Sequence, residues 1–461
     1  MRTRRSVLGG LGSALLVSIA GCSGDGSGGG GAPEGLEITS RSSQSTPAGI
    51  VVQATVENTT SSSKAGTLRA EIDVEGGETY TRTRHVALPA DETGAYQFLV
   101  SVELDGSTYE YDLEIAPPRT ETPTATESPT ATRSPTEAPL STVSERWAFE
   151  TDDPVVSSPV VVDGSVYVGS DDASVYALNA AEGTEQWTFE TDNKVFSSPA
   201  VVDGTVYVGS HDYSVYALDA GDGTERWSVR TGGRVLSSPA VADGTVYVGS
   251  DDTNVYAFDA GDGTEQWSFA TGGPVGSSPA VADGTVYVGS LDGNVYALDA
   301  GDGTEQWSFR TGNRVLSSPS VTDDTVYVGS EDNSVYALDR EDGTERWSVE
   351  VGNPEFSSPA VEDGTVYIGS TDENLYALDA GDGAEQWSFR TGGDVWSSPA
   401  VADGTVYVGS LDAKVYALDA EDGTGRWSFE TGNGVRSSPA VTDGSVYVGS
   451  LDGNVYALPE R

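Results

Sequence analysis

Eight tryptophans recur at a constant spacing of 40 residues: Trp147, Trp187, Trp227, Trp267, Trp307, Trp347, Trp387 and Trp427. A fixed period of this length marks repeat architectures, in which one small unit cannot bury its own apolar faces and must stack on copies of itself. Each unit reads SSPAV, then DGTVYVGS, then D-x-x-VYALDA, then DGTEQWSF. These are four short β-rich runs, separated by Asp-Gly or Gly-Ser turns. Four antiparallel strands per unit make a propeller blade. The runs lack a polar face because each blade is covered on both sides by its neighbours.

The count of units carries a further expectation. SSP occurs eight times, from Ser157 to Pro439, so there are eight innermost strands. The first tryptophan run, around Trp147, precedes them all, and the last unit stops after VYAL at Leu458 without one. The simplest closure pairs Arg146–Glu150 with Asn454–Leu458, so that the N-terminal strand completes blade eight and removes an open edge. The expected fold is all-β, an eight-bladed β-propeller over residues 144–461.

Upstream, residues 36–116 alternate apolar and polar residues in runs such as GIVVQATVENTT and TLRAEIDVEG. This predicts a small immunoglobulin-like β-sandwich of six or seven antiparallel strands. Asn58 opens an N-glycosylation sequon at an expected turn. His85 falls within a strand and reads as a packed or surface residue. Residues 117–143 are rich in threonine, proline and serine and read as a semi-rigid stalk. Residues 22–35 form a glycine-rich tether. Residues 1–21 read as a signal peptide: Arg4 and Arg5 precede an uncharged stretch from Val7 to Ala20 that is short for a bilayer span. Ile19-Ala20-Gly21-Cys22 resembles a lipobox, which implies that Cys22 is lipidated and tethers the chain to the membrane after twin-arginine export. Cys22 is the only cysteine, so no internal disulfide forms.

The formal net charge is −48, with 72 acidic residues against 24 basic ones, and only Lys64, Lys194 and Lys414 are lysines. Such a charge repels itself in dilute salt and is screened in concentrated salt. Acidic surface and scarce lysine resemble the proteins of halophiles, haloarchaea in particular. The charge also argues against nucleic acid as a partner, because nothing neutralises a phosphate backbone over a wide face.

Ala297, Asp299, Gly303 and Trp307 fit the spacing A-x-D-x-x-x-G-x-x-x-W, as do Ala217, Asp219, Gly223 and Trp227; the first unit has Asn179 in place of the aspartate. This resembles the tryptophan-docking repeat of quinoprotein alcohol dehydrogenases. The resemblance implies that the eight tryptophans pack between blades. The rival reading is calcium held by Asp299 and Asp302, but a pair of aspartates supplies few of the six to eight oxygens that calcium takes. The dehydrogenases hold pyrroloquinoline quinone (PQQ) with calcium, usually under a vicinal disulfide and among insertions between blades. This chain lacks adjacent cysteines and keeps strict spacing. It therefore resembles more closely the non-catalytic, BamB-like propellers of that superfamily, with no cofactor and no catalytic residue expected. A PQQ-dependent dehydrogenase is the alternative.

The repeats differ from one another mainly at one rim. Before each SSP stand Lys194, Arg234 and Arg314 at one position, and Phe196, Phe356, Trp396 and Arg436 two residues later. His211, Tyr213 and Lys414 lie in the loops between second and third strands. Basic and aromatic residues on an acidic body are the expected binding rim for a protein or cell-envelope partner. The competing account is drift among surface loops. The sequence thus reads as a lipid-anchored scaffold on the extracellular face of the cell membrane, with a monomeric propeller.

Overall fold

Each TVYVG-type run becomes the second strand of a four-stranded antiparallel sheet, and valine and tyrosine suit it because that strand is covered on both faces. In the second blade the strands are Ala200–Val202, Thr205–Gly209, Ser214–Asp219 and Glu225–Arg230. The register sets Tyr207 opposite Ala217 and Ala217 opposite Trp227. Asp203 and Gly204 turn the first hairpin with φ of 48° and 70°, the left-handed pair of a two-residue hairpin turn. The computed structural model describes residues 5–7, 36–46, 49–59, 64–74, 79–88, 93–100, 109–116, 140–442 and 444–460. Cys22, the tether and the stalk up to residue 139 lie outside the described residues.

Eight such blades form the unit that runs from Arg133 to Arg461. Their cores lie between blades rather than within them. Tyr167, Val175, Ala177 and Trp187 of blade one pack with Val195, Val206, Val208, Tyr216 and Leu218 of blade two, and the same cluster recurs at all eight junctions. Trp187 Nε1 and Tyr167 Oη both donate to the carbonyl of Ala220 on the next blade, at 3.0 and 3.1 Å. The indole lies flat over Gly223, where a β-carbon would come within 2.7 Å of the ring. That glycine also has φ of +75°, so space and backbone both demand it.

The ring closes through the N-terminal strand. Trp147–Glu150 pairs antiparallel with Asn454–Pro459, with Ala457 opposite Trp147 and Asn454 opposite Glu150. Trp147 Nε1 donates to Ala180 O at 2.9 Å, so the closing strand also supplies the tryptophan of the junction between blades eight and one. The segment just before it does something the sequence reading did not foresee. Ser141–Thr142, read there as the end of the stalk, adds a fifth, parallel strand to the outer edge of blade seven, opposite Trp427 and Ser428. Ser141 Oγ donates to Arg426 O at 2.7 Å, and Leu140 and Val143 pack on the cores beside it.

In the other unit, Met1–Thr132, the described strands form two antiparallel sheets. One comprises Leu36–Thr46, Gly49–Asn58 and Thr93–Val100; the other comprises Lys64–Val74, Thr79–Leu88, Tyr109–Ala116 and Arg5–Val7. Asn58 is the last residue of its strand, and His85 pairs with Thr67.

Candidate functional site

The second serine of each SSP forms a collar around the ring's interior. Ser158 N donates to Ser198 Oγ, Ser198 N to Ser238 Oγ, and so on through Ser438 N to Ser158 Oγ, each at 2.9–3.0 Å. All eight bonds run in one direction and close on themselves. The first serine of each SSP faces the opposite way, is fully buried in most blades, and accepts from the glycine N–H of the second strand, as Ser197 Oγ does from Gly209 N at 3.1 Å. In the sequence reading SSP served only as a marker of register.

Side chains alternate along this extended segment, so the residue two before each collar serine shares its side of the chain. These positions form a second ring: Val156, Phe196, Leu236, Gly276, Leu316, Phe356, Trp396 and Arg436. Three successive members of it touch. Phe356 and Trp396 stack with ring centroids 4.0 Å apart and planes 18° apart. The Arg436 guanidinium lies 4.2 Å from the centre of the same indole. Two groups each about 4 Å above one ring cannot share a face, so Trp396 is sandwiched between them. Trp396 Nε1 donates to Asp394 Oδ2 at 3.3 Å. Phe356 is 40% exposed.

The structure brings the two varied loops together. His211 N donates to Lys194 O, and Asp251 N to Arg234 O, each at 2.9 Å. The charges there are largely internally matched. Lys194 pairs with Asp171 at 2.9 Å, Arg234 with Asp251 at 2.6 Å, and Arg314 with Glu331 at 3.6 Å. His211 is buried against Phe196, with ring centroids 4.3 Å apart, and its Nε2 has no hydrogen-bond partner. Burial, reinforced by the Arg234 charge, pushes its pKa below the usual imidazole value. Tyr213 stands exposed at a turn tip with φ of 79°. Lys414 begins the third strand of blade seven, opposite Glu430.

Blade six departs from the pattern in a way the sequence reading missed. Thr371 N donates to Asn353 O, one residue earlier than the equivalent bond elsewhere, and Pro354 packs on Gly329 where other blades place a valine. The slack leaves Glu355 only 7% exposed, beside Glu331 and Arg314. Burial, and then the neighbouring Glu331 carboxyl, push the Glu355 pKa up to about 7.

The aspartates shared by all blades are fully engaged. Asp212 accepts from Ser214 N at 2.8 Å, Tyr216 Oη at 2.7 Å and Asp192 N at 3.1 Å. The phenol of Tyr216 rises to about 12 through burial and that bond. In the tryptophan-docking turn Asp299 Oδ1 accepts from Gly301 N, and Asp302 Oδ1 accepts from Thr304 N and Oγ1. This is turn capping, which engages one oxygen of each carboxylate. Among the described residues no three His, Cys, Asp or Glu side chains gather in a metal-ligating group. At the opposite end of the propeller, Arg340 stands where six other blades have alanine and blade eight has Glu460. It pairs with Asp283 of the preceding blade and lines a groove of about 410 Å³ with Asp324 and Arg346.

The sequence profile of a family described as outer membrane protein assembly factor BamB matches residues 130–201, 192–277, 254–388 and 371–461. No curated protein matches the chain in sequence. Among solved structures, BamB from Moraxella catarrhalis superposes with a TM-score of 0.61 at 20% identity, covering 69% of this chain and 99% of that one. A computationally designed protein, Ika8, gives 0.62 at 18%, covering 70% and 99%. Quinohemoprotein alcohol dehydrogenase ADHIIG from Pseudomonas putida gives 0.59 at 18%, covering 70% and 78%. At these identities the likeness is one of fold.

Proposed function

The chain belongs to the PQQ-repeat propeller family described as outer membrane protein assembly factor BamB, and from that premise we propose that it is a non-catalytic binding scaffold. The observation that carries the proposal is the Phe356–Trp396–Arg436 stack, an aromatic and cationic anchor on an acidic chain. In this reading the partner is a protein, and the rim around Phe196 and Trp396 engages it. Lipid on Cys22 holds the chain at the extracellular face of the membrane, and the propeller acts as a monomer.

The donor set at the mouth favours binding over quinone chemistry. Both faces of Trp396 are covered, which leaves no indole face for a flat cofactor. Three of the acids there, Asp171, Asp251 and Glu331, are held by Lys194, Arg234 and Arg314. The residues present therefore do not fit PQQ with calcium.

Two measurements test the reading. Protein incubated with PQQ and calcium should show no stoichiometric quinone absorption and no dye-linked alcohol oxidation; either signal would overturn it. Capture of envelope proteins by wild type should be lost with Phe196→Ala and Trp396→Ala, and undiminished capture would remove the rim from the binding surface.

A further inference from the structure

Arg436 is anomalous in this protein. The seven other positions of its ring are apolar or glycine. Acids outnumber bases by 72 to 24, yet no hydrogen bond or ion pair forms on its guanidinium among the described residues, and its Nε is buried without a partner. Lys194, Arg234 and Arg314 each hold an acid, and the loop position that supplies Asp251 to Arg234 and Glu331 to Arg314 is Leu451 in the blade of Arg436. Arg436 thus stands at the mouth as a cation with no ion pair among the described residues.

Stacking on Trp396 fixes the plane of the guanidinium. A planar, oriented fork of N–H donors matches a carboxylate. Beyond Trp396, Phe356 offers an exposed apolar face on the same stack. We infer that Arg436 receives a carboxylate from the protein partner, an aspartate or glutamate side chain whose aromatic neighbour packs against Phe356. The inference rests on the protein-partner reading above. An acidic body repels an acidic segment at long range, so the contact sets register after encounter rather than steering it.

The test is selection from a displayed library of random short peptides on the full chain in concentrated salt. Selected peptides should share an acidic residue beside an aromatic one. Their affinity should fall about tenfold on Arg436→Gln, less on Arg436→Lys, and also on Phe356→Ala. Peptides that lack an acid, or that bind Arg436→Gln as tightly as wild type while losing affinity on Trp396→Ala, would overturn the role of Arg436 and leave the rim as a protein-binding surface. Binding indifferent to all of these variants would overturn both. A selection that enriches nothing would also refute the inference.

Discussion

Gly425 and Leu140 share one space: a β-carbon at 425 would fall inside the Leu140 side chain. The same position is glutamate in every other outer strand, from Glu145 and Glu185 to Glu385. Blade seven alone has lost that side chain, and blade seven alone carries the fifth strand. Gly425→Glu should therefore expel residues 140–143. Limited proteolysis should then cut between Leu140 and Arg146, where wild type resists, and the melting temperature should fall modestly. Equal resistance in the variant would show that the glycine is not what admits the strap.

Closure of the ring rests on the strand that carries Trp147. Deleting Ser141 to Asp152 opens the edge of blade eight and empties the junction with blade one. Trp147→Ala alone should cost about 3–5 kcal/mol, the usual range for a buried tryptophan, and the deletion should cost more. Denaturant unfolding in concentrated salt measures both. An unchanged midpoint for the deletion would refute the closure.

Glu355 should make stability fall as pH rises. Its carboxyl is ordinary in the unfolded chain, and in the folded chain its pKa is raised to about 7 by burial and Glu331. The folded form therefore holds a proton that the unfolded chain has released, and this contribution is full below about pH 4.5 and lost as pH rises through 7. Glu355→Gln keeps a neutral group throughout. Its stability relative to wild type should rise by about 3 kcal/mol between pH 4.5 and 8. A flat difference would place the Glu355 proton elsewhere.

His211 acts in the opposite sense. Burial lowers its pKa, so below pH 6.5 the unfolded chain binds a proton that the folded chain refuses. Wild type should lose stability relative to His211→Gln as pH falls below that point. NMR titration of the ring should show a midpoint below pH 6.5.

The period of Trp147 to Trp427 was enough to read blades, their number and the closing strand, because each blade must repeat the same inter-blade core to bury anything at all. The strap was not legible. Leu140–Val143 follows a proline- and threonine-rich run, and its only sequence signal is the glycine at 425, next to Arg426, whose carbonyl accepts from Ser141 across 285 residues. Rim chemistry was half legible. Comparing repeats exposed Phe356, Trp396 and Arg436 as variants, but not that they stack, nor that Lys194, Arg234 and Arg314 spend their charge on neighbouring acids. Glu355 stayed hidden because Val351-Gly352-Asn353-Pro354 keeps the repeat length while the backbone shifts by one residue.

The parallel strap on blade seven also has a mechanical consequence. A pull on the chain from its N-terminal side reaches Ser141–Thr142 before it reaches Trp147–Glu150. The strap bears that tension first and acts as a fuse, giving way while the strand that locks the ring is still unloaded.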